Sequence, residues 1–178
     1  MRTDNFSMSE EHRHFLPAFK TEYGWGVLRI LLGWLFLWAF LDKMFGLGYA
    51  TGSGKGWIDG GSPTEGYLNY GVSGIFEDLF KDIAGNAMVD VVFMLALLAL
   101  GIALILGIGM RLAFYGGSVL LLMLWASNLP PENNPIIDEH IIFIASLFCL
   151  ERVHAGEHLG LGKWWSGTKL VERFPFLE

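Results

Sequence analysis

Long apolar runs almost free of charge limit what this chain can fold into. From Trp25 to Phe45 the only interior charge is Arg29, and from Ala87 to Ile108 the only charge is Asp90, near the start. At 1.5 Å rise per residue, runs of about 20 residues match a hydrocarbon layer ~30 Å thick. A third run, Leu112 to Asn128, carries Gly116 and Gly117 where a neighbouring backbone can approach, and it reaches an interfacial Trp125. A fourth, Ile141 to Leu150, is too short to cross alone, so the polar residues ahead of it, including Asp138, Glu139 and His140, must enter the bilayer thickness. Polar groups at such depth are tolerated when they face a bundle interior or a water-filled mouth.

These runs predict an all-α integral membrane protein. It is a four-helix bundle over residues 24–154, with spans at about 25–45, 87–108, 112–128 and 132–152. Hydrophobic residues make up 53% of the 178, which a soluble core of this size does not need. Flanking charges set the orientation. Arg2, Arg13, Lys20, Arg111, Arg152, Lys163, Lys169 and Arg173 fall on one side, and Lys43, Lys55 and Lys81 on the other. The basic side is cytoplasmic. Residues 1–23 and 155–178 are then cytoplasmic tails of a multi-pass cell-membrane protein. Trp164 and Trp165 read as interfacial anchors, and His12 and His14 as solvated. Arg29 lies near the cytoplasmic end, where snorkelling to the headgroups is expected. A net charge of −6 without a basic patch excludes nucleic acid as a partner.

The external loop, residues 46–86, is glycine-rich and aromatic, and is expected to fold over the bundle mouth. Within it Ile75, Phe76, Leu79, Phe80 and Ile83 recur at helical spacing opposite Glu77, Asp78, Lys81 and Asp82, which predicts a short amphipathic interfacial helix ended by Gly85. Cys149 is the only cysteine, so no disulfide, Cys-x-x-Cys pair or cysteine-held cluster forms within one chain. Beside Ala145 and Ser146 it reads as a helix-packing residue. No metal is expected.

On this topology every span brings polar groups to the external mouth: Asp42 and Lys43, Asp90, Asn128, then Asp138, Glu139 and His140. Trp34, Trp38 and Asp42 recur every fourth residue, an aromatic stripe leading to a polar tip that suits a planar lipid-soluble ligand such as a quinone. Interfacial anchoring and helix capping account for the same residue types, and both readings stand.

Three segments, LRILLGWLFLWAFLDKMFG, GWIDGGSPTEGYL and NNPIIDEHIIFIASL, occur in an order that resembles the DoxX-like membrane family, and most closely its DoxD branch, the membrane subunit of thiosulfate:quinone oxidoreductase. The resemblance implies a four-helix bundle that oxidises external thiosulfate to tetrathionate and passes the electrons to membrane quinone, beside a DoxA-like partner. On it, Lys43 with the Gly60 to Thr64 segment holds the anion, with Asp42, Ser62, Thr64 and Trp38 as further binding residues. His140 with Asp138 handles the quinone protons. The alternative is a non-catalytic DoxX-family subunit that docks on a larger redox complex, and a homo-oligomer is compatible with either reading. A channel or carrier ranks third, because the halves show neither a repeat nor a broken helix.

Overall fold

The computed structural model describes residues 21–178. The predicted N-terminal tail, with His12 and His14, lies outside the described residues.

Helix α1 (Thr21–Phe45) runs the length of the molecule. The loop after it contains a single 3-10 turn at Trp57–Asp59, then α2 (Glu65–Tyr70), strand β1 (Ser73–Gly74) and α3 (Glu77–Lys81). Next come α4 (Ala87–Leu106), α5 (Met110–Ala126), strand β2 (Asn128–Leu129) and α6 (Glu139–Arg152). Two short helices, α7 (Gly162–Ser166) and α8 (Lys169–Arg173), follow. The structure is mostly helical, and two helices, α1 and α4, are long and apolar enough to cross a membrane.

Helix α1 packs along α4, α4 meets α5, and α5 packs along α6 around Leu32, Phe36, Met94, Leu97, Leu121 and Leu147. Small residues set the closeness of the first pair. A Cβ added at Gly33 would lie 2.8 Å from the Ile105 backbone nitrogen, and one at Gly101 would lie 2.8 Å from that of Leu37. The two backbones therefore touch at both crossing points, as small residues allow. Gly117 does the same on α5, where a Cβ would meet Leu147 at 2.8 Å. Gly116 faces open space. Between α4 and α5 the chain reverses through Gly107 and Gly109, at φ +72° and +60°, the left-handed conformation that favours glycine. The outward faces stay apolar: Leu31, Trp34, Leu35, Val92, Leu95 and Val119 are exposed, while Arg29, Asp42 and Asp90 are buried.

Several expectations shift. The helical part of the fourth predicted span begins at Glu139, seven residues later than 132. Local acceptors explain the delay. Asn134 Oδ1 accepts from the amides of Ile136 and Ile137 at 3.0 Å each, and Asp138 caps α6 by accepting from those of His140 and Ile141. Prolines 130, 131 and 135 also disfavour helix there. At 14 residues, α6 reaches only ~21 Å.

Arg29 does not snorkel. Its side chain is fully buried and donates five hydrogen bonds to backbone carbonyls, those of Leu104 and Ile105 at the end of α4 and of Ala155, His158 and Leu159 beyond α6. The carbonyls that end a helix lack intrahelical donors and carry partial negative charge, which a guanidinium fork satisfies better than a distant headgroup.

The segment 155–178 is a folded cap. The Leu161 amide donates to Leu106 O at 2.7 Å, the Arg111 amide to Glu178 O at 2.7 Å, and Val171 is buried. Trp164 is exposed as an anchor would be, whereas Trp165 donates through its indole N–H to Leu177 O at 2.7 Å. Cys149 is exposed on α6 and not at a helix contact, because Leu147 and Leu150 hold the buried face. The amphipathic segment is helical only over Glu77–Lys81, with Ile75 and Leu79 turned outward.

Candidate functional site

The end of α1, the start of α4, the end of α5 and the start of α6 meet the 46–86 loop at one end of the molecule. Two buried carboxylates hold the loop there. Asp42 accepts from the amides of Thr51 (2.8 Å) and Tyr49 (3.2 Å). Asp90 Oδ1 accepts from the Thr64 hydroxyl (2.6 Å), the Ser62 hydroxyl (2.9 Å) and the Thr64 amide (3.2 Å). A charge-assisted bond to a buried carboxylate is stronger than a neutral one, so a glycine-rich loop acquires fixed anchor points. A third tie is β1, which pairs parallel with β2 through Ser73↔Asn128 and Gly74↔Leu129. Beside it the Tyr67 hydroxyl lies 2.7 Å from Ser127 Oγ and accepts from Asn128 Nδ2 at 2.7 Å.

Below these ties lies a cavity of about 440 Å³. Its walls are apolar, from Phe80, Phe93, Leu120 and Met123, and its polar end brings together Lys43, Tyr67, Ser127, Asn128, Glu139 and His140. Lys43 and His140, which sequence reasoning assigned to different jobs, line the same space. Lys43 Nζ stands 6.0 Å from the centre of the Phe93 ring, at the outer limit of a cation–π contact. Among the described residues it has no hydrogen-bond or ion-pair partner. His140 Nδ1 lies 2.8 Å from Asp138 Oδ2. An ionised carboxylate only accepts, so Nδ1 donates to Asp138 and leaves Nε2 to other partners.

Two outer hollows adjoin this cavity. A polar cleft of about 830 Å³ under the loop is lined by Lys43, Lys55, Ser62 and Asp59, and it shares Lys43, Pro63 and Tyr67 with the inner cavity. A groove of about 540 Å³ along the 130–139 segment includes Asp138 and shares Asn128, Glu139 and His140 with the cavity. Lys43 thus belongs to both the cleft and the cavity, and His140 to both the cavity and the groove.

Of the other candidates, Ser62 lines the cleft and Thr64 the cavity, but their hydroxyls and the Thr64 amide are directed to Asp90. Asp42 lines neither hollow and is engaged by loop amides. Trp38 stacks 5.8 Å from Trp34 and edge-on 5.1 Å from Tyr49, away from the cavity. The stripe it belongs to rotates: each four-residue step advances the helix by about 40°, so Trp34 is exposed while Asp42 is buried. One ligand atom each from Asp138, Glu139 and His140 lies within 4.8 Å of the others, close enough to share a cation.

Sequence reasoning missed Phe93, Tyr67, Ser127 and Lys55. Phe93 lies one turn from Val89, a spacing that puts both on one face of α4, whereas Tyr67 and Lys55 come from a loop with no periodic signal. Comparison with protein-family models, curated proteins and solved structures finds no match.

Proposed function

We propose that the chain is a multi-pass membrane protein with both termini in the cytoplasm, its four main helices forming a membrane bundle, and that it oxidises an external sulfur anion at the expense of membrane quinone, as the DoxD resemblance implies. The observation that carries this reading is Lys43, a cation with no hydrogen-bond or ion-pair partner among the described residues, shared by a polar outer cleft and an apolar inner cavity. Thiosulfate would enter the cleft lined by Lys43 and Lys55, whose charge Asp59 and Glu65 on the same lining offset, so Lys43, shared with the cavity, is the cation proposed to hold it. A quinone head fits the cavity by shape and by its aromatic wall at Phe93. Two thiosulfate dianions give up one electron each and join through a new sulfur–sulfur bond, and the quinone takes those two electrons with two protons. His140 supplies protons from its place between cavity and groove, with Asp138 fixing the ring and stabilising its charged form.

The bilayer reading draws on the apolar outward faces of α1 and α4 over buried Arg29, Asp42 and Asp90, the reverse of a water-soluble helix pair. Exposed Tyr49, Ile58 and Tyr70 on the loop favour a second reading, a docking subunit whose loop meets a DoxA-like or other redox partner.

The test is quinone reduction by the protein in lipid with thiosulfate, with and without a copurifying partner. His140→Ala is expected to lower turnover by about a hundred-fold or more while the protein stays folded. Undiminished turnover in that variant removes His140 from the mechanism. No turnover with any partner leaves the docking reading in its place.

A further inference from the structure

Beyond the cavity the α4–α5 seam carries a second, mostly apolar hollow of about 360 Å³. On α4 the cavity wall follows Val89 and Phe93, and Ala96 and Leu100, on the same helical stripe, line the second hollow. On α5 Leu124 and Leu120 line the first and Gly116, one turn on, the second. The two hollows share no lining residue but follow successive turns of the same two helices, and from Val89 to Ala103 this lane extends ~21 Å.

Only its outer end carries charge. Lys43 stands there without a hydrogen-bond or ion-pair partner among the described residues, and its sequence neighbour Asp42 acts on it only electrostatically. Of the nearby carboxylates, Asp42 is engaged by two loop amides, and Glu139, which lines the cavity, is exposed to solvent and does not pair with it. A half-buried ammonium facing apolar walls favours an anion that brings its own apolar body.

We infer that the α4–α5 seam is a binding site for a membrane-resident anionic amphiphile, its carboxylate or phosphate head at Lys43 and its acyl chain lying past Gly116. This rests on the membrane reading and not on the redox one. Such a ligand occupies the space proposed for the quinone and competes with it.

The test uses the full chain in phosphatidylcholine nanodiscs, after carbonate washing of the source membranes. Release by carbonate would overturn the membrane reading itself. Equilibrium binding then compares radiolabelled oleate with oleyl alcohol, which differ in head charge and share the chain. Wild type is expected to hold oleate about ten-fold more tightly, with the preference lost in Lys43→Gln and kept in Lys43→Arg. Gly116 lines the second hollow and has no neighbour within 4 Å of an added Cβ, so the side chain of Gly116→Leu starts in open space and should narrow the lane and weaken both ligands. Lysophosphatidic acid serves as the third probe: binding tighter than oleate marks a phosphate head, and binding weaker marks a carboxylate. Equal affinity of wild type for oleate and alcohol, a preference surviving in Lys43→Gln, or unchanged binding in Gly116→Leu would each overturn the inference.

Discussion

The two ends of the molecule both bury charge, and they do so in opposite ways. At one end Arg29 is fully buried and closed in by five carbonyl oxygens. At the other, Asp42 and Asp90 are matched by loop donors, but among the described residues Lys43 has no hydrogen-bond or ion-pair partner and lines about 440 Å³ of space. A buried charge whose hydrogen bonds are complete holds structure together. One that has room and no partner is available to a ligand.

Substitutions can break or sharpen this contrast. Arg29→Met should have the largest effect on stability, because five carbonyls lose the guanidinium at once and only Ala155 O has another donor shown, the His158 amide. A loss of about 3–5 kcal/mol is expected, read as a fall in thermal midpoint in detergent. A midpoint unchanged from wild type would mean that water or lipid replaces the guanidinium. Asp90→Ala should cost about 1–3 kcal/mol by freeing Ser62 and Thr64, and faster proteolysis within residues 46–86 would report it. If the loop stays protected, Asp42 and the β1–β2 pair suffice to hold it.

Lys43→Met should leave stability within about 0.5 kcal/mol of wild type, or slightly above it, while turnover with thiosulfate falls at least ten-fold. A stability loss as large as that of Arg29→Met would show that Lys43 is a structural charge after all, and the contrast between the ends would fail. Cys149→Ser, on the outward face of α6, should change the thermal midpoint least, within about 0.5 kcal/mol.

Much of the helical layout was legible from apolar run length alone. Spans expected at 25–45, 87–108 and 112–128 appear as helices Thr21–Phe45, Ala87–Leu106 and Met110–Ala126. The fourth was read too long because run length ignores side chains that capture backbone amides. Asn134 and Asp138 do this, and both belong to residue types that commonly cap. Arg29 was misjudged for a different reason: its acceptors lie 75 to 130 residues away in sequence, beyond any local pattern. In the site, Lys43 and His140 were singled out by charge and depth, and the structure brings them to one cavity. The binding roles expected of Ser62, Thr64 and Asp42 overlooked that Ser62 and Thr64 also bond buried Asp90 and that Asp42 accepts from the Tyr49 and Thr51 amides. Which carboxylate a glycine-rich loop will settle on depends on its folded path, which composition does not encode.

The glycine contacts between α1 and α4 have a mechanical consequence. Backbones that touch at Gly33 and Gly101 leave no side-chain cushion to compress, and Arg29 staples the same pair at its inner end. Helices α5 and α6 are likewise keyed together, by Gly117 against Leu147. Arg29 also bonds Ala155, His158 and Leu159 beyond α6, and Gly117 lies against Leu100 of α4 as well, so the two helix pairs are tied together away from Lys43 and room is left at the Lys43 end of the α4–α5 seam. A bulky guest entering from the side there would spread that end of the seam and leave the α1–α4 and α5–α6 contacts intact.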